Sequence, residues 1–137
     1  MVDLVITAAN VEAQGGAGRG RKIAAATITA GQALSANSSD RAILASDASA
    51  SLARVIGIAL HGASADQPVE YQTSGDIDLG ATLAVGKHYV LSTDGGIAPV
   101  DDIAGTEFPS YIGFAISTSI LRLNILAATV AAAGAVA

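Results

Sequence analysis

Short apolar runs separated by clusters of Gly, Asp, Asn and Ser are the feature of this 137-residue chain that most limits its fold. No stretch sustains the apolar period of about 3.6 residues that marks an amphipathic helix. Short runs bounded by turn residues are typical of strands in all-β domains. The sequence therefore predicts an all-β fold, either a small β-barrel or a sandwich-like domain. The candidate strands are 4–7, 23–29, 42–45, 54–60, 69–74, 88–92, 97–100, 111–117 and 120–126.

Two local signals lie between these runs. The segment "TDGG" (93–96) predicts a tight hairpin turn, because Asp-Gly and Gly-Gly tolerate the positive φ that such turns require. The segment "SDASASLARV" (46–55) leaves a short helical turn open, with Asp47 or Ser46 as its cap. Either outcome is compatible with the predicted fold class.

The chain also contains a degenerate internal repeat, covering about 27–75 and 82–126. Each half has a glycine turn that leads into one strand and a later strand with the pattern I-G-[IF]-A-[LI]. A glycine in mid-strand weakens a sheet unless it makes a bulge or lets a neighbouring backbone approach closely. We expect Gly57 and Gly113 to do one or the other. The matching segments are "TITAGQALS" (27–35) with "TLAVGKHYVLS" (82–92), and "RVIGIALHGAS" (54–64) with "SYIGFAISTS" (110–119).

Charge is divided unevenly along the chain. Residues 1–22 carry three cations, Arg19, Arg21 and Lys22, against two carboxylates, for a net charge of +1; residues 23–137 carry −6. The cations lie in "AQGGAGRGRK" (13–22), a glycine-rich stretch that predicts a flexible arm. We therefore expect an extended N-terminal arm (1–22), a β domain (23–126) and a small-residue C-terminal tail (127–137). An acidic body does not favour nucleic-acid binding, which needs a basic face.

The sequence lacks the complete pattern of three common kinds of reactive site. A P-loop requires G-x-x-x-x-G-K-[ST], and here Arg21 precedes the lysine and no hydroxyl residue follows it. Asp76 and Asp78 share one face of a predicted strand but lack the rest of a calcium-binding loop, so solvated carboxylates are favoured. The group His61, Ser64 and Asp66 lies in one loop, without the nucleophile elbow of a hydrolase. We expect no catalytic, cofactor or metal site and no enzyme activity.

Three further features complete these expectations. The chain has no cysteine, which excludes disulfides and thiolate ligands. The apolar C-terminal stretch is interrupted by Arg122 and Asn124 and is too short beyond them to cross a bilayer, so no membrane partner is expected. The few aromatic residues, Tyr71, Tyr89, Phe108, Tyr111 and Phe114, are expected in the core and at interfaces.

The order of motifs from about Ile28 to Ile125 resembles the small capsid decoration, or cement, proteins of tailed bacteriophages. The similar elements are the A-G-Q turn, the "ASDASAS" segment before a G-I-A-L strand, the continuation "ASADQPVEYQTSG", the strand G-K-H-Y-V-L-S with its D-G-G turn, and I-G-F-A-I-S. They consist of turns and apolar strands, not of reactive side chains. Residues 1–22 and the tail "AATVAAAGAVA" lie outside the similarity.

This resemblance implies an all-β structural protein, made in the host cytoplasm and located in the virion on the outer surface of the capsid. It implies binding to the major capsid protein, bridging of its subunits, and a homotrimer. We expect Arg19, Arg21 and Lys22 to contact the capsid or a neighbouring subunit. An alternative is another virion surface module, such as a fibre-attachment or host-surface-binding β domain.

Overall fold

The computed structural model of the chain describes residues 3–14, 18–49, 51–100 and 110–126. Within these ranges the regular structure consists of ten β-strands and one 3₁₀ turn (Ala8–Asn10), without an α-helix. The predicted all-β fold class is therefore confirmed. The strands are β1 (Val11–Ala13), β2 (Gly18–Ile23), β3 (Ala33–Ala36), β4 (Ala42–Leu44), β5 (Gly57–Ala59), β6 (Pro68–Leu79), β7 (His88–Leu91), β8 (Ile97–Pro99), β9 (Tyr111–Ala115) and β10 (Ile120–Leu126).

Antiparallel pairing joins these strands into one curled sheet, in which eight strands follow the order β4-β3-β5-β6-β10-β9-β7-β8. The remaining two, β1 and β2, each pair with β6. The longest strand, β6, thus contacts β2 and β5 through its first half and β1 and β10 through its second half. A bridge between Ala24 and Ala42 brings the chain that follows β2 back to β4. This contact closes β2, β6, β5, β3 and β4 into a ring.

A bend in the middle of β6 separates the two regions of the sheet. Gly75 has a φ of 84° at this bend. The fully buried Gln72 donates from Nε2 to the carbonyl oxygens of Ser74 (2.9 Å) and Asp76 (2.8 Å), which flank Gly75. One side chain therefore holds the backbone on both sides of the bend.

The bend also divides the apolar core into two clusters. Val69 and Tyr71, before the bend, belong to a small cluster inside the ring; Ile77 and Leu79, after it, belong to the main cluster. The main cluster packs side chains of β5 and β6 against those of β7 to β10, and includes Ile58, Tyr89, Leu91, Ile97, Ile112 and Leu121. Aliphatic side chains dominate both clusters, as the aromatic-poor composition predicts.

The strand order is symmetric about the pair β6 and β10, since β4-β3-β5-β6 on one side corresponds to β8-β7-β9-β10 on the other. Gly57 lies opposite Leu34 of β3, and Gly113 lies opposite Tyr89 of β7. At both glycines a β-carbon would collide with a neighbouring backbone carbonyl, that of Gln72 at 2.6 Å and that of Arg122. The expected close backbone approach is therefore found twice. The internal repeat itself stays a prediction, which these matching placements support.

Several strand boundaries differ from those expected. In residues 4–7, Leu4 N donates a hydrogen bond to Ile97 O (2.7 Å) and Thr7 N donates one to Gly80 O (2.8 Å). Because the two acceptors lie in different parts of the sheet, residues 4–7 form no continuous ladder with one strand. Of the predicted strand 23–29, only Ile23 belongs to a strand of the structure. It is the last residue of β2, after which the chain leaves β6. Residues 47–48 and 51–53 form turns, and Ala53 N donates a helical hydrogen bond to Ser49 O (3.0 Å). Strands β1 and β2 were not predicted and β3 was expected only as the strand after the Gly31 turn, whereas β10 has the expected bounds.

The "TDGG" turn joins β7 to β8 as predicted. Asp94 and Gly95 have φ values of 50° and 81°, and Gly96 N donates to Thr93 O at 3.1 Å. No helix in the described part of the chain is long and apolar enough to cross a membrane.

Candidate interaction surface on strand β2

The glycine- and arginine-rich segment forms a strand of the sheet. Gly18 to Ile23 pair with β6, from Gly18 opposite Ser74 to Ile23 opposite Pro68. A β-carbon at Gly20 would lie 2.6 Å from ring carbons of Tyr71, so any other residue there must displace the ring or separate β2 from β6. The interpretation of residues 18–22 as a flexible arm outside the fold is therefore wrong. The segment forms a strand because glycines alternate with large residues at every second position, and this period matches the alternation of side chains in a strand.

Arg19 and Arg21 lie two residues apart on the exposed face of β2. Arg19 Nη1 is 3.7 Å from Glu70 Oε2, and both side chains are about half exposed, so this pair contributes little stability. Arg21 lies opposite Glu70 in the register but forms no ion pair with any described residue. One carboxylate thus faces two guanidinium groups, and this patch carries a net positive charge.

Lys22 points to the other side of the strand, because successive side chains of a strand alternate. Its Nζ lies 2.7 Å from Asp40 Oδ1, in the turn between β3 and β4. The hydrogen bond to Asp40 raises the pKa of Lys22, against the opposing effect of partial desolvation. Lys22 therefore ties β2 to that turn. The expected contact role of Arg19, Arg21 and Lys22 stays a prediction. Arg19 and Arg21 share one exposed face of β2, and Lys22 lies on the other side.

The loop residues His61, Ser64 and Asp66 are not brought together as a catalytic group. His61 accepts a hydrogen bond at Nε2 from Glu70 N (3.2 Å), and its Nδ1–H donates to Gly62 O (2.9 Å). Asp66 instead pairs with Arg41 at 2.5 Å. Both imidazole nitrogens are used to hold the backbone beside Glu70, which gives His61 a structural role at the edge of the basic patch.

The carboxylates of Asp76 and Asp78 share the outer face of β6, as predicted from their spacing. Asp76 accepts hydrogen bonds from Arg122 Nε (2.9 Å) and Nη2 (3.4 Å), which raise the pKa of Arg122. Asp78 lies directly opposite Glu12 of β1. No group of three or more His, Asp or Glu side chains that could hold a metal ion occurs in the described ranges. The acidic pair Asp101–Asp102 of the sequence lies outside these ranges.

Three ring side chains meet on the outer face of the second region of the sheet. His88 Nδ1 and the hydroxyl of Tyr111 are 2.5 Å apart, and the His88 ring centroid is 5.5 Å from that of Tyr111 and 6.1 Å from that of Phe114. Burial raises the pKa of Tyr111. Tyr71 and Tyr89 are buried as expected, and Phe108 lies outside the described residues.

Sequence reasoning identified Arg19 and Arg21 but missed the residues that define their surroundings. Glu70, Glu12 and Asp78 acquire their significance from cross-strand pairing, which depends on β1 and β2 being strands. The alternation in "GRGRKI" was the available signal.

A scan against protein-family models and a search of curated proteins found no match to the chain.

Proposed function

We propose that the chain is a structural virion protein that binds the outer surface of a tailed-bacteriophage capsid and stabilises it by bridging subunits of the major capsid protein. The observation that carries this proposal is the pair Arg19 and Arg21, which are exposed side by side on β2 of an otherwise acidic protein. Arginine is suited to such contacts, because its planar guanidinium binds carboxylates through two parallel hydrogen bonds.

The resemblance to decoration proteins supports the same proposal, because its motifs fall on elements that organise the fold. The A-G-Q turn precedes β3, G-K-H-Y-V-L-S contains β7, and I-G-F-A-I-S overlaps all of β9 but its first residue. A protein of this kind works by contact area, and repeated weak contacts on a lattice add through multivalency. The function requires no cofactor, no direct contact with nucleic acid and no membrane.

Binding to purified heads stripped of this protein tests the proposal. We expect the wild-type chain to occupy regular positions on the outside of the head by cryo-electron microscopy and to delay thermal rupture of the head. An Arg19→Ala, Arg21→Ala double variant should bind about 10-fold more weakly at low salt, a loss of about 1.4 kcal/mol. The difference from the wild type should shrink at high salt, because salt screens the arginine contacts that the wild type makes. Arg54→Ala is the matched control, because Arg54 is exposed and forms no ion pair with a described residue. Absence of the wild-type chain from the heads would refute the proposal.

The alternative, a fibre-attachment or host-surface-binding domain, is favoured by one observation. His88, Tyr111 and Phe114 place partly exposed rings together on one sheet face. Exposed rings of this type contribute large contact areas to binding surfaces. Binding of the chain to a glycan array, lost in a Phe114→Ala variant and kept in the arginine double variant, would establish this function instead.

A further inference from the structure

We propose that copies of this chain associate head to tail, with Arg21 of one copy seated between Glu12 and Asp78 of the next. This inference rests on the proposed function and assigns only Arg21 to a second copy, so that Arg19 remains for the capsid contact. Three observations carry it: an acidic cleft without a cation, an apolar residue beside each charged patch, and the separation of the two patches along β6.

The acidic cleft lies on the outer face of β1 and β6. Glu12 and Asp78 are directly opposite each other, where β-carbons stand about 4.5–5.5 Å apart and like charges destabilise a sheet. Asp78 Oδ1 accepts a hydrogen bond from Gly80 N (2.9 Å), but no described cation forms an ion pair with either carboxylate. These side chains line a cleft of about 540 Å³ that Thr7 and Asn10 also border. A guanidinium placed there would relieve the repulsion.

Each charged patch has an exposed apolar residue beside it. Val5 lines the acidic cleft and is 89% exposed. Ile23 lies on the same face of β2 as Arg21 and is 41% exposed. An interface that pairs Arg21 with the two carboxylates can also bury Val5 and Ile23, and burial of apolar area favours association. Both charge and apolar surface are therefore complementary.

The two patches cannot meet within one molecule. Glu70, opposite Arg21, and Asp78 are eight positions apart on β6, a span of up to about 27 Å in an extended strand. A two-fold symmetric contact of β2 with itself would place Arg19 and Arg21 against the same arginines. Different patches must therefore meet. Repeated head to tail, this contact forms a closed ring when the rotation closes, whereas a two-fold arrangement that makes the same contact twice would stop at a dimer. A homotrimer is one such ring.

Charge reversal tests the interface on the purified full-length chain. The variants are Arg21→Glu, Glu12→Arg and the combination of both, with Arg54→Glu as a control that changes net charge equally to Arg21→Glu. Molar mass is measured by light scattering and sedimentation over a range of protein and salt concentrations, and thermal unfolding confirms that each variant is folded. We expect the wild type and Arg54→Glu to associate alike, each single reversal to weaken association at least about 10-fold, and the combination to restore it.

The outcomes separate this inference from the proposed function. A wild-type chain that stays monomeric at every concentration overturns the head-to-tail contact, as does equal behaviour of Arg21→Glu and Arg54→Glu or a combined variant without recovery. If such a chain still occupies stripped heads, the proposed function stands and this inference fails. Recovery of association in the combined variant, without binding of the wild type to heads, supports the contact and refutes the proposed function.

Discussion

The ring of Tyr71 lies against Gly20 on the neighbouring strand, with ring carbons 2.6 Å from the position that a β-carbon at residue 20 would occupy. Gly20→Ala must displace this ring or separate β2 from β6. We expect a loss of about 1–3 kcal/mol in the free energy of unfolding, the usual cost of overpacking. Denaturant unfolding measures it.

The same substitution in a Tyr71→Leu background is the control. Leucine lacks the outer ring atoms, so Gly20→Ala should cost less there, and the difference gives the coupling between the two positions. An equal cost in both backgrounds would mean that the ring does not impose glycine at residue 20.

Asp47 is 4% exposed, and its Oδ1 accepts a hydrogen bond from the Thr93 hydroxyl (3.1 Å), while Oδ2 has no partner. Thr93→Val keeps the shape of the side chain but removes this donor. We expect a loss of about 1–3 kcal/mol in stability, because a buried acceptor loses a partner. Thr93→Ser, which keeps the hydroxyl, should lose less. If Thr93→Val lowers the free energy of unfolding by the same amount in an Asp47→Ala background, the Asp47 carboxylate is not the cause of the loss.

Tyr111 gives the protein an alkaline pH dependence. Burial raises the pKa of its hydroxyl above the ordinary value of 10.0, so the folded state favours the neutral phenol. The corresponding stability is present below pH 10.0 and is lost as the pH rises through the raised pKa, because the unfolded chain releases the proton first. Ultraviolet titration should show a tyrosine ionising above that value in the wild type. Retention of this step in Tyr111→Phe would assign it to another tyrosine.

Strand β2 should be visible in hydrogen exchange. The amides of residues 18–23 that bond to β6 should exchange more slowly than those of the exposed turn at residues 38–40. Exchange of both segments at the rate of an unstructured peptide would restore the interpretation of residues 18–22 as a mobile arm. NMR of the isolated chain provides the measurement.

The sequence was sufficient for the fold class and for most strands from β4 to β10, because apolar runs and turn residues are local signals. The turn at Asp94 and Gly95 followed from backbone preferences alone. In contrast, β2 was missed because its core-side positions carry glycine, which gives no apolar signal, and its packing partner Tyr71 lies 51 positions away.

The candidate surface also combines features that local sequence signals predict with features that only the fold reveals. Arg19 and Arg21 were found from composition, since cations stand out in an acidic chain. The separation of Lys22 from them required knowledge that the segment is a strand, and its bond to Asp40 required the fold. The pairing of Glu12 with Asp78 depends on a register between distant strands, which no local pattern encodes.

The position of β6 has a mechanical consequence. Because this strand forms ladders with β1, β2, β5 and β10, a pull along its axis loads the hydrogen bonds of four neighbours together in shear. Peeling an outer strand such as β8 would instead open its bonds one after another. A tether attached at the two ends of β6 therefore loads these four ladders at once, and the basic and acidic patches lie near those two ends.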